Sequence, residues 1–342
     1  MNGRNLYLLV VALSLLLSSC TLKVLHTDRV AARGARHLWP AHAFTPYSYD
    51  AFQQADLVAL SQAAGTKFFT LAFIEATRGK ACQASWNGRQ PIGIWMQSSI
   101  QALRSTGGDV SMAFGGSAGN ELSQSCATVS SLQAQYRSVI NIYHLTHLDF
   151  DIEGKALTDA RAMVQRNRAI ASLQKQFVST GRRLSVSYTL PVNVSGLTPS
   201  GINLLRDAIL NGVTIDTINL MTMDYYSKHA PGNRMGQNAI RAASSVLRQL
   251  QPLYPGRSAS QLWSLLGLTP MIGKNDDTRE IFTLQDAQTV LNFARQQNLN
   301  RLSFWSVQHD RHCTHGQVAP HGCSGMRQQP YQYSQAFAAF IS

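Results

Sequence analysis

The chain has 342 residues, of which 44% are hydrophobic and 14% charged, so it can bury a large core and does not have the composition of a disordered protein. Its formal net charge is +12, but the basic residues are scattered and form no dense run, which argues against a nucleic-acid-binding protein. The charge itself predicts only a mild attraction to anionic surfaces.

An export signal is predicted at the N-terminus. Arg4 precedes a mostly apolar run over residues 6–17, which is too short to span a membrane comfortably and has the length of a signal core. The run ends in Leu17-Ser18-Ser19-Cys20, which resembles the lipobox of bacterial lipoproteins, where cleavage leaves a lipidated cysteine as the first residue. A plain secretory signal with an incidental cysteine is the alternative.

The first 39 residues are therefore expected to lie outside the folded domain. We predict a lipoprotein signal peptide over residues 1–19, lipidation of Cys20 and a polar tether over residues 20–39. The protein would then be exported and held in the bacterial cell envelope by its lipid, or secreted if the alternative holds. No other stretch of the sequence is long and apolar enough to predict a transmembrane helix.

Four further cysteines predict disulfide bonds, because an even number in an exported chain is typical of a disulfide framework. Cys313 and Cys323 bracket a loop rich in Gly, His and Pro, so we pair them, and Cys82 pairs with Cys126 by remainder. The alternative is a metal site that also uses the nearby histidines of this loop, His312, His315 and His321. Their spacings match no zinc pattern, so no metal is expected.

From residue 40 onward, short apolar runs alternate with amphipathic ones. The predicted strands cover residues 43–47, 67–74, 109–114, 148–153, 184–190, 215–223, 262–268 and 301–305. The predicted helices cover residues 56–64, 93–103, 130–143, 159–178, 202–210, 238–250, 283–296 and 331–340. Eight such units predict an α/β fold, a (β/α)8 TIM barrel formed by residues 40–342 as a single domain. A doubly wound sheet would require a Gly-rich phosphate loop after the first strand, and the sequence has none there.

The fourth predicted strand carries a row of acids. Asp149, Asp151 and Glu153 alternate with Phe150 and Ile152, so the three carboxylates project to one side and the apolar residues to the other. Like charges this close raise the pKa of at least one member. Buried carboxylates are costly, so this pattern indicates catalysis rather than architecture, with a cation site or a solvated edge strand as alternatives.

Other residues suited to chemistry follow other strands. In a barrel the active site lies at the C-terminal ends of the strands, and these positions hold Gly115, Gly116, Tyr188, Asp224, Tyr225, Tyr226 and Trp305. Four further aromatic residues are candidate platforms for sugar rings, with core packing as the alternative. They are Tyr47, Trp86, Trp95 and Trp263.

Together these residues resemble a known family. Asp149-x-Asp151-x-Glu153 resembles the DxxDxDxE signature of family 18 glycoside hydrolases, the chitinases. Phe114-Gly115-Gly116-Ser117 resembles the SxGG motif of that family, with Ala113 in place of its serine. The segment Met221-Thr222-Met223-Asp224-Tyr225 resembles the MxYD-type motif of strand six, and Trp305 resembles the tryptophan that floors the −1 sugar subsite.

The resemblance covers about residues 40–340 and is strongest to the single-barrel, chitinase D-like branch of bacterial and archaeal chitinases. No insertion of sixty or more residues separates predicted strands seven and eight, so the α+β insertion domain of many family members is not expected. The first aspartate of the signature falls on Thr146, and the family tyrosine of strand six falls on Met223. Tyr225 or Tyr226 is the candidate replacement for that tyrosine.

The resemblance implies a substrate-assisted, retaining mechanism. Glu153 would be the general acid and base, Asp151 would orient the acetamido group, and Asp149 would share a proton with Asp151. Residues implied to bind substrate are Trp305, Met221, Asp224, Tyr225, Tyr188, Gly115 and Gly116. For Tyr188 and Trp305, packing in the barrel core is the alternative.

The predicted function is thus a chitinase that cleaves β-1,4 bonds between N-acetylglucosamine units, acting as a monomer on chitin or another N-acetylglucosamine polymer without a cofactor. Alternatives are an endo-β-N-acetylglucosaminidase that acts on N-glycans and an inactive chitin-binding lectin. An acidic metal-binding barrel that uses His144 or His147 is a further alternative, which the position of His147 toward the start of the strand disfavours.

Overall fold

The computed structural model describes residues 39–50, 53–314, 319 and 322–340. The predicted signal peptide, the lipidation site Cys20, nearly all of the predicted tether, and His315 and His321 lie outside the described residues. Everything that follows concerns the described part of the chain.

Eight parallel strands form the centre of the molecule. In chain order they are β1 (Ala43–Phe44 continued by Tyr47–Tyr49), β2 (Phe68–Ala76), β3 (Asp109–Gly115), β4 (His147–Asp151), β5 (Ser185–Asn193), β6 (Thr217–Met221), β7 (Leu266–Thr269) and β8 (Arg301–Leu302). Each strand from β2 to β8 pairs in parallel with its neighbour in the chain. The order of strands in the sheet thus follows the order in the sequence, as a barrel requires.

The two segments of β1 close the sheet on itself. Ala43 and Phe44 pair in parallel with Arg301 and Leu302 of β8. The second segment pairs in parallel with β2, where Tyr47 lies opposite Thr70. Because β1 is hydrogen-bonded to both β8 and β2, the strands form a closed (β/α)8 barrel, and the predicted fold class is confirmed.

The helices surround the strands. They are α1 (Leu57–Ala64), α2 (Gln97–Ser105), α3 (Leu122–Ser125), α4 (Val129–Tyr143), α5 (Gly154–Thr158), α6 (Ala160–Ser179), α7 (Pro199–Leu210), α8 (Met235–Leu250), α9 (Ala259–Trp263), α10 (Leu284–Gln297) and α11 (Gln332–Ala338). Their starts follow from local chemistry: Asp56 accepts hydrogen bonds from the first turn of α1, and Thr128 and Thr283 begin α4 and α10 with reciprocal capping boxes.

The apolar core lies between the strands and the helices. On β4, Phe150 is fully buried and stacks on Phe114 of β3, with ring centroids 5.3 Å apart. Tyr136 of α4 packs edge-on against both rings. This packing fixes β4 so that its alternate residues, the acids, face the barrel interior.

Two predicted strands differ from the structure. Residues 259–263 form α9 because Ser258 and Gln261 make a capping box there, so β7 begins only at Leu266. Strand β8 ends at Leu302, and Trp305 forms an isolated bridge with Met271. Between β7 and β8 the chain holds only α10 and a two-stranded hairpin, Gly273–Lys274 with Ile281–Phe282, which agrees with the expected lack of an insertion domain.

Both predicted disulfide pairs are confirmed. Cys82 is bonded to Cys126, and Cys313 is bonded to Cys323. Over the described ranges, no helix has the length and apolarity needed to cross a membrane.

Candidate active site

The row of acids begins inside the barrel and ends at its mouth. Asp149 is fully buried, and in the parallel sheet it lies between Ala113 of β3 and Ser187 of β5. Asp151 follows one pleat later and is 5% exposed. Glu153 comes just after β4, at the residue that precedes α5, and is partly exposed. The strand thus presents the three carboxylates at increasing height toward the C-terminal end of the barrel.

Asp149 is held by donors from two strands. The Tyr47 hydroxyl donates to Asp149 Oδ2 at 2.7 Å, and the Ser187 and Thr189 hydroxyls donate to Oδ1 at 2.5 and 2.8 Å. The Arg301 guanidinium lies 3.9 Å from the same Oδ1. The pKa of Asp149 is raised, because the effect of burial exceeds the lowering effects of the Arg301 charge and of these hydrogen bonds. Asp149 is therefore a buried acid, and protein donors surround its carboxyl group.

The upper two acids titrate together. Burial, followed by the negative charges of Glu153 and Asp149, raises the pKa of Asp151 well above its usual range. The pKa of Glu153 is raised to about 7. Burial is the main cause, a hydrogen bond with Asp151 lowers the pKa, and the nearby charges of Asp224 and Asp276 raise it. Near neutral pH this pair retains at least one proton, as a general acid requires.

A cleft that is partly open to solvent covers Asp151 and Glu153. Its walls come from β1, β2, β4, β5, β6 and β7 and from the segments that follow β3, β4, β6, β7 and β8. The lining residues are Tyr47, Phe73, Ser117, Asp151, Glu153, Thr189, Met221, Met223, Asp224, Thr269, Met271, Asp276 and Trp305. Glu153 and Asp151 are thus exposed to a space that can hold a ligand.

Aromatic rings form one side of the cleft. The rings of Trp305 and Phe73 are stacked, with centroids 5.6 Å apart and planes at 15°. Tyr49 and Tyr47 lie 5.6 and 5.9 Å from the Trp305 ring. Two peptide bonds in this region are cis, Ala72–Phe73 and Trp305–Ser306. A flat aromatic face beside buried carboxylates suits the apolar face of a sugar ring.

The segment after β6 lines the cleft with residues other than Tyr225 and Tyr226. Met221, Met223 and Asp224 line it, and burial raises the pKa of Asp224 to about 6. Tyr225 is buried in the core, and Tyr226 is 63% exposed. Met223, which stands at the position of the family tyrosine, therefore lines the cleft. Neither candidate replacement, Tyr225 or Tyr226, is among the lining residues.

The structure does not bring Tyr188 to the cleft. Its hydroxyl donates to Asn167 of α6 at 2.6 Å, and its ring lies 5.9 Å from Phe150 on the outer side of the sheet. Strand alternation explains this position, because Ser187 and Thr189 on either side of it face the barrel interior. Tyr188 thus takes the alternative of core packing.

Gly115 and Gly116 shape the cleft without lining it. Both have positive φ, and a Cβ on Gly115 would lie 2.1 Å from the Asp151 carbonyl oxygen, while one on Gly116 would lie 2.8 Å from the Phe73 ring. The two glycines let β3 approach the acid strand and the aromatic wall. Three of the four candidate platforms lie elsewhere in the protein. They are Trp86, Trp95 and Trp263, which pack in or against the core.

Three contributions to the site were missed in the sequence. Asp276, from the segment after β7, lines the cleft, and Tyr47 is a hydrogen-bond donor to Asp149 rather than only a ring. Arg301 stands at the start of β8, beneath the acids. An Asp-Asp pair after a predicted barrel strand was a usable signal for Asp276, whereas no local pattern marks Arg301.

Within the described ranges, no group of three or more His, Cys, Asp or Glu side chains has an arrangement that could hold a metal ion. His147 lies at the start of β4 and stacks on Trp39, with ring centroids 4.1 Å apart. Burial lowers its pKa to about 3. His147 is therefore part of the packing at the opposite end of the strand from the cleft.

Comparison with known proteins places these features in context. No family model matches the chain. The chain is 35% identical over 311 residues to a probable bifunctional chitinase/lysozyme of Escherichia coli (strain K12), and 35% identical over 279 residues to Endochitinase 11 of Metarhizium anisopliae. These alignments cover 88% and 80% of the chain but only 35% and 53% of the two relatives, so the chain spans between a third and about half of their length.

One solved structure is similar to this chain over nearly the whole length of the solved domain. The catalytic domain of a hyperthermophilic chitinase from Pyrococcus furiosus is 34% identical and superposes with a TM-score of 0.80, covering 89% of this chain and 96% of that domain. Catalytic-site mutants of active domain 2 of that thermostable chitinase have been solved complexed with chito-oligosaccharides, at the same identity and TM-score.

Proposed function

We propose that this chain, which belongs to family 18 of the glycoside hydrolases, is a chitinase that hydrolyses β-1,4 bonds between N-acetylglucosamine units with retention of configuration. The observation that carries the proposal is the position of Glu153: it is partly exposed at the mouth of the barrel, hydrogen-bonded to Asp151, and beside a stacked aromatic wall.

In the first step Glu153 donates its proton to the glycosidic oxygen as the bond to C1 breaks. The acetamido oxygen of the same sugar forms a bond to C1, which gives a cyclic oxazolinium ion, and the leaving sugar departs with the proton. The pKa of about 7 keeps a large fraction of Glu153 protonated near neutral pH, so the acid is available.

In the second step Glu153, now ionised, takes a proton from water while the water oxygen attacks C1. The oxazolinium ring opens, the acetamido group is restored and the β-anomer is released. Asp151 holds the acetamido nitrogen between the two steps, because its carboxyl group lines the cleft directly below Glu153 and is buried enough to interact strongly with a cation.

The relatives support this choice of substrate. The two curated relatives are described as a probable chitinase/lysozyme and an endochitinase, and the solved domain that covers most of this chain has been complexed with chito-oligosaccharides. The stacked rings of Trp305 and Phe73 support a sugar polymer as the ligand of this chain.

The test is hydrolysis of N-acetylglucosamine oligomers by the purified domain, with the anomeric form of the product read early by NMR. We expect the β-anomer from the wild type and no cleavage by Glu153→Gln. Asp216→Asn is the matched control, because Asp216 pairs with Arg183 far from the cleft. Cleavage that survives in Glu153→Gln would contradict the assigned acid.

Two other outcomes identify alternative functions. Chitin binding by a wild type that cleaves nothing would indicate a lectin. Release of N-glycans from glycoproteins without cleavage of the oligomers would indicate an endo-β-N-acetylglucosaminidase.

We also propose that the protein is exported and lipidated at Cys20, and that it acts as a monomer. The two disulfides support export, because such bonds persist in oxidising compartments. Metabolic labelling with radioactive palmitate should mark the wild type, and Cys20→Ser should remain unlabelled. Equal labelling of both would contradict the lipidation site.

A further inference from the structure

An arginine lies inside the barrel beneath the row of acids. Arg301 is 4% exposed, and its side chain crosses the interior from β8, so that Nη1 donates to Ser187 Oγ of β5 at 3.0 Å. Ser187 in turn donates to Asp149 Oδ1 at 2.5 Å, and the guanidinium lies 3.9 Å from that oxygen. The positive charge is therefore connected to the lowest acid both directly and through one hydroxyl.

The barrel is built to admit this side chain. Gly267 of β7 lies beside Arg301, and a Cβ there would meet Arg301 Cβ at 3.0 Å and Asn219 Oδ1 at 2.9 Å. A buried charge is costly unless it is paired. Asp149 is the acid that forms an ion pair with Arg301 in the described part of the chain.

The side of Asp149 that faces β3 has no side-chain donor among the described residues. Ala113, which is paired with Asp149 in the sheet, stands where the SxGG motif has serine, and its methyl group cannot donate a hydrogen bond. The remaining groups that stabilise an Asp149 anion come from β1, β5 and β8, and Arg301 is the charged one among them.

We propose that Arg301 is a positioning residue that fixes the charge state of the acid row: it keeps Asp149 ionised, so that the proton of the aspartate pair resides on Asp151, within reach of Glu153. This inference rests on the proposed function only for its catalytic consequence. The charge assignment itself is a property of the free protein.

The hydrogen-bonding groups around Asp149 and Asp151 also favour an ionised Asp149 and a protonated Asp151. Asp149 accepts three hydroxyl hydrogen bonds, from Tyr47, Ser187 and Thr189, whereas Asp151 Oδ1 is buried without a hydrogen-bond partner among the described residues. Hydrogen bonds to the charged form favour ionisation, and their lack favours the neutral acid.

Two further charged or titratable groups face this region. His147, at the start of β4, remains neutral because burial, followed by the charges of Arg301 and Arg183, lowers its pKa to about 3. The Tyr47 phenol is neutral as well, because burial and the charge of Asp149 raise its pKa above its usual range. Neither group supplies a competing charge.

The test combines carboxyl NMR with a pH–rate profile on the full folded chain. Aspartate labelled with ¹³C in its carboxyl group is titrated in the wild type, with resonances assigned through Asp149→Asn and Asp151→Asn. On acidification we expect Asp151 to take up a proton before Asp149. Uptake at Asp149 first, or at both together, would overturn the proposal even if no Arg301 variant folds.

The variants give a second readout. Arg301→Gln should move the acidic limb of the kcat/KM profile to higher pH by about one pH unit or more, because loss of a cation within about 4 Å disfavours the carboxylate. At a pH on that limb, activity should then fall about tenfold relative to the wild type. Arg301→Lys retains the charge and should keep most of the wild-type profile.

The matched control is Arg166→Gln. Arg166 is an equally buried arginine, but its ion pair is with Glu121, between α6 and the loop before α3. This variant is expected to lose stability while its acidic limb stays in place. A shift of the limb in both Gln variants would show that the effect is one of general destabilisation, and an unshifted limb in Arg301→Gln would overturn the proposal.

Failure of the proposed function is distinguishable from failure of this inference. A wild type that cleaves no oligomer but protonates Asp151 before Asp149 would refute the activity and retain the role of Arg301. A wild type that cleaves oligomers but protonates Asp149 first would do the reverse.

Discussion

Replacement of Glu153 by glutamine is expected to stabilise the folded protein at alkaline pH. Burial raises the pKa of Glu153 to about 7, from 4.5 for an ordinary glutamate. The folded state therefore holds this proton more tightly than the unfolded chain does. The resulting contribution to stability is complete below pH 4.5 and is lost as the pH rises from 4.5 to 7.

The size of the effect follows from the two pKa values. One pKa unit corresponds to about 1.4 kcal/mol, so full ionisation of Glu153 lowers the free energy of unfolding by about 3 kcal/mol. Glutamine cannot ionise and avoids this loss. With roughly 2 °C in Tm per kcal/mol for a domain of this size, the variant should melt about 6 °C above the wild type at pH 8.

The assay is thermal unfolding of both proteins at several pH values between 4.5 and 8.5. We expect the difference in Tm to be small at pH 4.5 and to grow through pH 7. Glu121→Gln serves as the contrast, since Glu121 is also buried but is paired with Arg166, so that its loss should lower stability. A Tm difference between Glu153→Gln and wild type that does not vary with pH would refute the reasoning.

Three further predictions concern the site and its frame. Asp276→Asn should move the basic limb of the kcat/KM profile to lower pH, because the charge of Asp276 raises the pKa of Glu153; an unmoved limb would contradict this coupling. Tyr47→Phe should lower kcat roughly 10- to 100-fold with the fold intact, since a hydrogen bond to a charged group contributes about 1.5–3 kcal/mol, and an unchanged kcat would show that the 2.7 Å bond to Asp149 is dispensable. Removal of the Cys82–Cys126 disulfide, which spans 44 residues, should cost about 4 kcal/mol, against about 3 kcal/mol for the Cys313–Cys323 bond over 10 residues; denaturation midpoints in the reverse order would contradict the loop-length argument.

The parts of the site that the sequence predicts are those set by local periodicity. Asp149, Asp151 and Glu153 share a side of the strand because side chains alternate along it. The same rule applied to β5 would have placed Tyr188 outside, since Ser187 and Thr189 on either side of it bond to Asp149. Because Tyr188 was judged by residue type without the strand face, its position stayed open between the site and the core.

The rest of the site depends on closure of the barrel. Arg301 and Tyr47 lie 152 and 102 residues from Asp149 in the chain, and only the pairing of β1 with β8 brings them beneath the same carboxylate. Asp276 reaches the cleft from an irregular segment after β7, whose conformation no periodic pattern specifies. Contacts of this kind require the register of the whole sheet, which neither composition nor spacing contains.

The hydrogen bonds that the acids make, and one that they lack, indicate which ligand groups the cleft can bind. Both carboxylate oxygens of Asp149 accept hydrogen bonds. Asp151 Oδ1, in contrast, is buried without a hydrogen-bond partner in the described part of the chain. The cleft wall at the end of β6 is formed by Met221 and Met223, whose side chains offer no donor. An unpartnered buried carboxyl oxygen costs about 1–3 kcal/mol, which a ligand recovers when it brings a donor. An acetamido N–H is such a donor, and unlike a hydroxyl at the same carbon it comes with the acetamido oxygen that the proposed reaction uses as nucleophile. If Glu153 acts as proposed, an N-acetylated sugar beside it would bring Asp151 Oδ1 a donor that the described residues do not provide.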